Sequence, residues 1–295
     1  MHYVDAKSIL SSKNGMNLYR GCTHGCIYCD SRSECYGMTY RFEDIEVKRN
    51  APGLLEEALR KKRHRCMIGT GAMCDPYLPL EETERLTRSA LEIIDRYGFG
   101  VTLLTKSDLV LRDLDLLQRI HRKAKCVVQM TLTTYDEDLC RVLEPNVATT
   151  RRRFEVLMEL KKAGIPTVVW MTPILPFIND TEENIRGLLE YCREAEVRGI
   201  LTFGIGMTLR SGNREYFYKK LDEHFPELKR RYMRTFGSSY GIHSPNGREL
   251  GRLVKDFCNE NQLLYGTEAV FSYLNTLEER ETQLSLFDTD DFFGR

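Results

Sequence analysis

Short apolar runs recur along the chain, and each is followed by a stretch whose apolar positions repeat every three to four residues. RCMIGTG (65–71), GVTLLTK (100–106), CVVQMTLTT (126–134), PTVVWMTPIL (166–175) and GILTFGIGMTL (199–209) are rich in β-branched and aliphatic residues, which predicts strands. Helical periodicity fills the gaps over 52–63, 80–97, 108–122, 150–163 and 181–194, with Pro52 in a first turn and Gly164 placed to end the fourth helix. A short strand in MNLYR comes first. Strand and helix in alternation predict a parallel α/β architecture of about six β/α units, fewer than the eight of a closed barrel. The expected fold is therefore α/β, an open, partial (β/α)6 TIM-like barrel. Helical patterns over 214–225, 226–236 and 247–261 extend it at the C-terminal side. The expected organisation is an N-terminal arm (1–16), a barrel with C-terminal helices (17–266) and a flexible tail (267–295).

Hydrophobic residues make up 42% of the 295 and charged residues 29%, with 43 basic and 43 acidic side chains, the profile of a globular protein with no charge-driven partner. No run approaches the roughly 18 apolar residues of a membrane helix, and the first residues lack a basic segment followed by an apolar one. These features predict a cytoplasmic protein with no membrane partner. Ten cysteines in such a chain read as metal ligands, reactive thiols or small core residues rather than disulfides.

The segment YRGCTHGCIYCDSR places Cys22, Cys26 and Cys29 at C-x3-C-x2-C spacing directly after a strand. Iron–sulfur clusters take thiolate ligands, normally four, so three cysteines leave one iron open to a ligand the protein does not supply. A structural zinc site with His24 or Cys35 as fourth ligand is the alternative.

This loop resembles the signature of the radical S-adenosylmethionine superfamily. Further segments resemble its spore photoproduct lyase branch and the related DNA repair photolyase-like proteins: IGTGAMCDPYLPLE, LLTKSDLVLRDLDLL, LTTYDEDLCRVLEPNVATTRRR and AGIPTVVWMTPILPFIND. The resemblance implies a 4Fe-4S cluster on Cys22, Cys26 and Cys29. Its open iron would chelate S-adenosylmethionine, whose reductive cleavage gives a 5′-deoxyadenosyl radical that abstracts hydrogen from a substrate. It further implies Tyr28 beside the adenine, backbone groups of Gly69, Thr70 and Gly71 near the methionine moiety, Lys106 neutralising its carboxylate, and Thr131 contacting the same region. Cys74 is the candidate hydrogen donor to a product radical, a lyase-like role suited to a weak S–H bond. Glu144 and Pro145 match an EP pair of the lyase, and Arg153 is either a solvated charge or a phosphate or cofactor contact. An electron donor such as flavodoxin or ferredoxin is implied too.

The sequence around Cys74 and around the cluster loop departs from the lyase, so spore photoproduct itself is not the expected substrate. Nucleic acid, with a base lesion or modification, is the first expectation. A protein or small-molecule substrate is the second, and a noncatalytic iron–sulfur protein the third. The basic runs at 60–65, 151–153 and 229–234 lie near acidic residues and read as solvated helix faces. The tail differs. Gln283, Leu284, Ser285, Leu286 and Phe287 resemble the pentapeptide by which bacterial replication and repair proteins bind the sliding clamp, with three apolar side chains to fill pockets and Gln283 for the rim.

Overall fold

The computed structural model describes residues 1–278. Seven parallel strands form its main sheet: β1 (Gly15–Met16), β2 (Met67–Thr70), β3 (Gly100–Thr105), β4 (Cys126–Thr131), β5 (Thr167–Trp170), β6 (Gly199–Leu201) and β7 (Leu264–Tyr265). They stand side by side in the order β7-β6-β5-β4-β3-β2-β1. No pairing closes β1 onto β7 among the described residues, so the barrel is partial, as its pattern predicts, with one strand more than the six expected.

Period-two alternation divides each strand between two faces. Val101, Leu103, Val128, Met130, Val169 and Ile200 pack with the crossover helices in one large core. Val127, Val168 and Leu201 point the other way, into the lumen. There they meet Val270 and Leu274 of the helix Thr267–Asn275, a segment expected to belong to the tail. The correction has a local cause. Val270, Phe271 and Leu274 make one apolar stripe at helical spacing, and the open lumen leaves an apolar surface for it to cover. Lys125, buried at the start of β4, fastens the end of this segment by donating to the carbonyls of Tyr273 at 2.7 Å and Thr276 at 3.3 Å, and it pairs with Glu278 at 2.7 Å. The clamp-like pentapeptide at 283–287 lies outside the described residues.

Three further differences from the periodicity follow from specific contacts. The helix expected over 80–97 breaks at Arg85, whose φ is 52°. There the buried Glu81 carboxylate turns to accept from the amide of Thr87, capping the helix Leu86–Tyr97, while also pairing with Arg112 at 2.8 Å. The helix expected over 108–122 opens as a 3-10 turn, Asp108–Asp113, before Leu114–Lys123. The apolar run over 199–209 divides into β6 and the strand Gly206–Thr208, which pairs antiparallel with Gly241–His243 over the barrel mouth. A Cβ on Gly206 would lie 2.1 Å from the Ile242 carbonyl oxygen, so only glycine permits this approach.

The lumen helix predicts its own test. Leu274→Ala should cost about 2–5 kcal/mol, as a buried leucine truncation does. Denaturant unfolding of the full chain measures it, and an unchanged midpoint would mean that the helix does not complete the core.

Candidate functional site

The C-terminal ends of the strands open onto a cavity of about 720 Å³, the face on which barrel enzymes carry their sites. Cys22, Cys26 and Cys29 line it together. Their loop is fixed by backbone bonds to distant segments: Cys22 N donates to Phe42 O at 3.1 Å, Ile27 N to Leu143 O at 3.0 Å, and Asn146 N to His24 O at 3.1 Å. Gly21 permits the first turn, since at φ 89° a Cβ would sit 2.5 Å from Phe42 O.

Burial raises the Cys26 thiol to about 12. It raises Cys22 well above the ordinary thiol value as well, with the nearby Cys26 and Cys29 pushing the same way. The three sulfurs thus stand close enough for their charges to oppose one another, an arrangement that a cationic group bound among them would relieve. Among the described residues no group of three His, Cys, Asp or Glu side chains could hold a single metal ion. A multi-iron cluster instead offers a separate iron to each thiolate, so the donor set fits the cluster. The zinc alternative fares worse. Cys35 is exposed and accepts from Arg210 at 3.2 Å, and His24 Nδ1 faces Asp75 at 3.6 Å.

Lys106 follows β3 and lines the same cavity. Its Nζ lies 4.0 Å from Glu144 Oε1 and 5.7 Å from the centre of the Tyr28 ring. Burial opposes its charge, but Cys26 and Glu144 outweigh burial and hold its pKa above the ordinary lysine value, so it is a fixed cation. Glu144 is itself buried. Burial works against its charge, yet Arg153 and Lys106 hold the carboxyl below the usual carboxylate range. Tyr28 Oη donates to Glu144 Oε1, and Arg153 Nη2 donates to Oε2. Arg153 also donates to Thr131 O at 2.8 Å and to Ala148 O at 2.7 Å. Arg153 is therefore neither solvated nor placed to hold a phosphate. The helix Thr150–Lys162 turns Arg151 and Arg152 outward and the third arginine of the run inward.

Asp75 ties the neighbouring segments together, accepting from Thr105 Oγ1 at 2.7 Å, the Lys106 amide at 2.8 Å and the Tyr77 amide at 2.9 Å. Cys74 lies beside it, buried, and its thiol donates to Gly21 O at 2.8 Å. Burial, Cys22 and Asp75 all hold Cys74 in the protonated form. Tyr28, Gly71, Cys74, Lys106 and Thr131 all border the cavity. Gly69 and Thr70 do not line it; both are paired within the sheet between β1 and β3. Gly71, at φ 98°, lies so close to β3 that a Cβ would be 1.9 Å from Leu104 O.

A second group of lining residues was missing from the sequence reading. It comprises Trp170, Phe203, Arg210, Tyr240 and His243. Trp170, the sole tryptophan, ends a strand, which is a readable signal. Phe203, Arg210, Tyr240 and His243 reach the mouth through the paired strands after β6 and the turns around them, which no local pattern announces.

These features define an α/β protein with a thiol-rich cavity at the open end of a partial barrel. The chain belongs to the radical SAM superfamily, whose profile matches residues 16–192; that superfamily implies S-adenosylmethionine and a 4Fe-4S cluster. An uncharacterized protein of Mycobacterium tuberculosis is 28% identical over 247 residues, 80% of this chain and 71% of the relative. An uncharacterized protein of Methanocaldococcus jannaschii is 31% identical over 181 residues, 61% and 67%. The radical SAM Nα-GlyT isomerase of Pseudomonas phage M6 is 27% identical over 170 residues, 57% of this chain and 34% of that protein. Spore photoproduct lyase complexed with dinucleoside spore photoproduct shares the fold at a TM-score of 0.60 and 14% identity, covering 88% of this chain and 78% of that one. A mutant of the lyase with bound AdoMet and the dinucleoside aligns at 0.57 and 16%, covering 82% and 72%. Among the described residues no helix is long and apolar enough to cross a membrane.

Removing the Arg153 guanidinium should strand the Glu144 charge. Arg153→Met is expected to lower stability by about 3–5 kcal/mol, the range for breaking a buried pair. Chemical denaturation reads this directly, and a loss below about 1 kcal/mol would show that the pair is not essential to the fold.

Proposed function

We propose that this chain is a radical S-adenosylmethionine enzyme that holds a 4Fe-4S cluster on Cys22, Cys26 and Cys29 and acts on nucleic acid. The observation that carries the first part is the convergence of three loop thiols and the fixed cation of Lys106 on one cavity, in a chain of this superfamily. When bound, the cluster supplies the electron that cleaves S-adenosylmethionine to a 5′-deoxyadenosyl radical, an electron drawn from a donor such as flavodoxin or ferredoxin.

Lys106 is proposed to neutralise the methionine carboxylate, with Glu144 and Arg153 fixing its position from behind. Gly71 borders the cavity, and its missing side chain lets this segment pack against β3, where a Cβ would meet Leu104 O. Tyr28, held by its hydroxyl on Glu144, offers its ring to the adenine, and Thr131 borders the same space. Burial of the loop keeps water from the reacting groups. Cys74 presents a protonated thiol to the same cavity and is proposed to return a hydrogen atom to the product radical. The nucleic-acid assignment draws on the fold shared with spore photoproduct lyase, whose structures hold a dinucleoside. The cytoplasm is the compartment proposed.

Anaerobic reconstitution with iron and sulfide, then dithionite and S-adenosylmethionine, tests the assignment through 5′-deoxyadenosine release with and without damaged DNA. Cys26→Ala should abolish release, by about a thousandfold or more if chemistry depends on the cluster, whereas Cys192→Ala and Cys258→Ala, both in the helix-side core, should retain the cluster. Normal release from the Cys26→Ala protein would refute the ligand set, and release indifferent to DNA would move the substrate elsewhere. Cys74→Ala should keep release but change the products; identical products would remove that thiol from the reaction.

The pentapeptide at 283–287 is proposed to recruit the enzyme to the bacterial sliding clamp. Clamp pull-down should succeed with the full chain and fail with a chain ending at residue 280. Equal recovery of both, or of neither, would dismiss that role.

A further inference from the structure

Six large apolar side chains are exposed among the described residues, and two of them, Phe203 and Tyr240, each 54% exposed, border the same cavity. Phe203 is held rigidly. Its ring meets the edge of Trp170 at 5.7 Å, and Phe271 of the lumen helix stands 6.4 Å from Phe203 and 6.2 Å from Trp170. The indole is itself fixed, because Trp170 Nε1 donates to Gln129 Oε1 at 2.7 Å and Gln129 Nε2 donates to Thr102 Oγ1 at 2.8 Å. A braced aromatic ring exposed at the edge of the cavity presents a face on which a planar group can stack.

A cation, Arg210, lines the same cavity beside Asp30 of the cysteine loop. The Arg210 guanidinium sits 5.0 Å from the centre of the Tyr240 ring and donates to its hydroxyl. Its Nε has no hydrogen-bond partner, although Asp30 lies 3.4 Å away. A molecule that carries both planar rings and anions matches a cavity lined by both groups, and a nucleic-acid strand has that form. An aromatic peptide side chain supplies the ring without the anion.

We infer that Phe203, braced by Trp170 and Phe271, is the stacking platform for one unpaired base of the substrate, and that Arg210 receives a phosphate of the same strand. The inference rests on the proposed nucleic-acid substrate and names how it is held. Trp170, Gln129 and Phe271 are positioning residues, and Phe203 and Arg210 touch the substrate.

Because Trp170 is the sole tryptophan, its emission reports on this ring cluster alone. The experiment titrates the reconstituted full chain, without oxygen, with a single-stranded thymidine oligonucleotide and with an abasic strand carrying the same number of phosphates. The thymidine strand should change Trp170 emission saturably and bind about tenfold or more tightly than the abasic strand, the ratio expected of one base–aromatic stack. Phe203→Ala should erase that difference and Phe203→Tyr should restore it, a rescue that a general loss of folding would not allow. Equal binding of the two strands, unaltered preference in Phe203→Ala, or displacement of the thymidine strand by a tyrosine-bearing peptide would overturn the inference. Cleavage of S-adenosylmethionine by a protein that ignores the base would sink the platform and leave the radical-enzyme reading standing. Phe203-dependent base binding by a protein that never cleaves the cofactor would do the reverse.

Discussion

The buried carboxylate of Glu144 is the contact around which the cavity is organised. It accepts from Tyr28 on the cysteine loop and from Arg153 on the helix after β4, and it faces Lys106 at the end of β3. Three separate stretches of chain therefore meet on one side chain. Burying such charges is costly, and ion pairs of this kind add less to net stability than to the choice of one geometry. Lys106 and Arg153 offset the charge of Glu144, and Asp75, which accepts from the Lys106 amide and faces His24, sets a second carboxylate beside the thiols. The Lys106 ammonium is thus held in place before any ligand arrives.

The cavity lining has two characters, and the fold explains both. Thiols and fixed charge are set by the loop before β2 and the ends of β3 and β4. Rings come from Trp170 and Phe203, braced by Phe271 of the lumen helix, and from Tyr240, which Arg210 ties to Asp30, Cys35 and Tyr36 just past the thiols. A closed barrel would fill its interior with layers of its own side chains. Here a partial sheet leaves that space to the helix Thr267–Asn275, so Phe271 reaches Trp170 beside the cavity while Lys125 holds the far end. The segment that completes the core also braces Trp170 and Phe203.

Much of this was legible in the sequence where the signal is local. Strand runs and helical stripes give the alternating order, and C-x3-C-x2-C marks the cysteine loop that lines the cavity, because both are fixed by spacing along the chain. Lys106, Thr131, Tyr28 and Cys74 came through resemblance, and all four border the cavity. Arg153 could not be read from its neighbours, since a run of three arginines does not reveal which one a helix turns inward. Thr267–Asn275 looked like tail because a single short apolar stripe gains its surface only from an unclosed lumen. Phe203, Tyr240 and Arg210 depend on a strand pairing more than thirty residues apart. Sequence spacing carries no trace of such pairing.

In the proposed site, three thiolates leave one iron open to S-adenosylmethionine. Electron paramagnetic resonance of the anaerobically reconstituted, dithionite-reduced full chain tests it most directly, with spectra taken before and after adding S-adenosylmethionine. A reduced 4Fe-4S signal that shifts when the cofactor binds is the predicted result. A cluster signal that the cofactor leaves unchanged, or a protein that takes up zinc and no iron–sulfur cluster, would contradict the account.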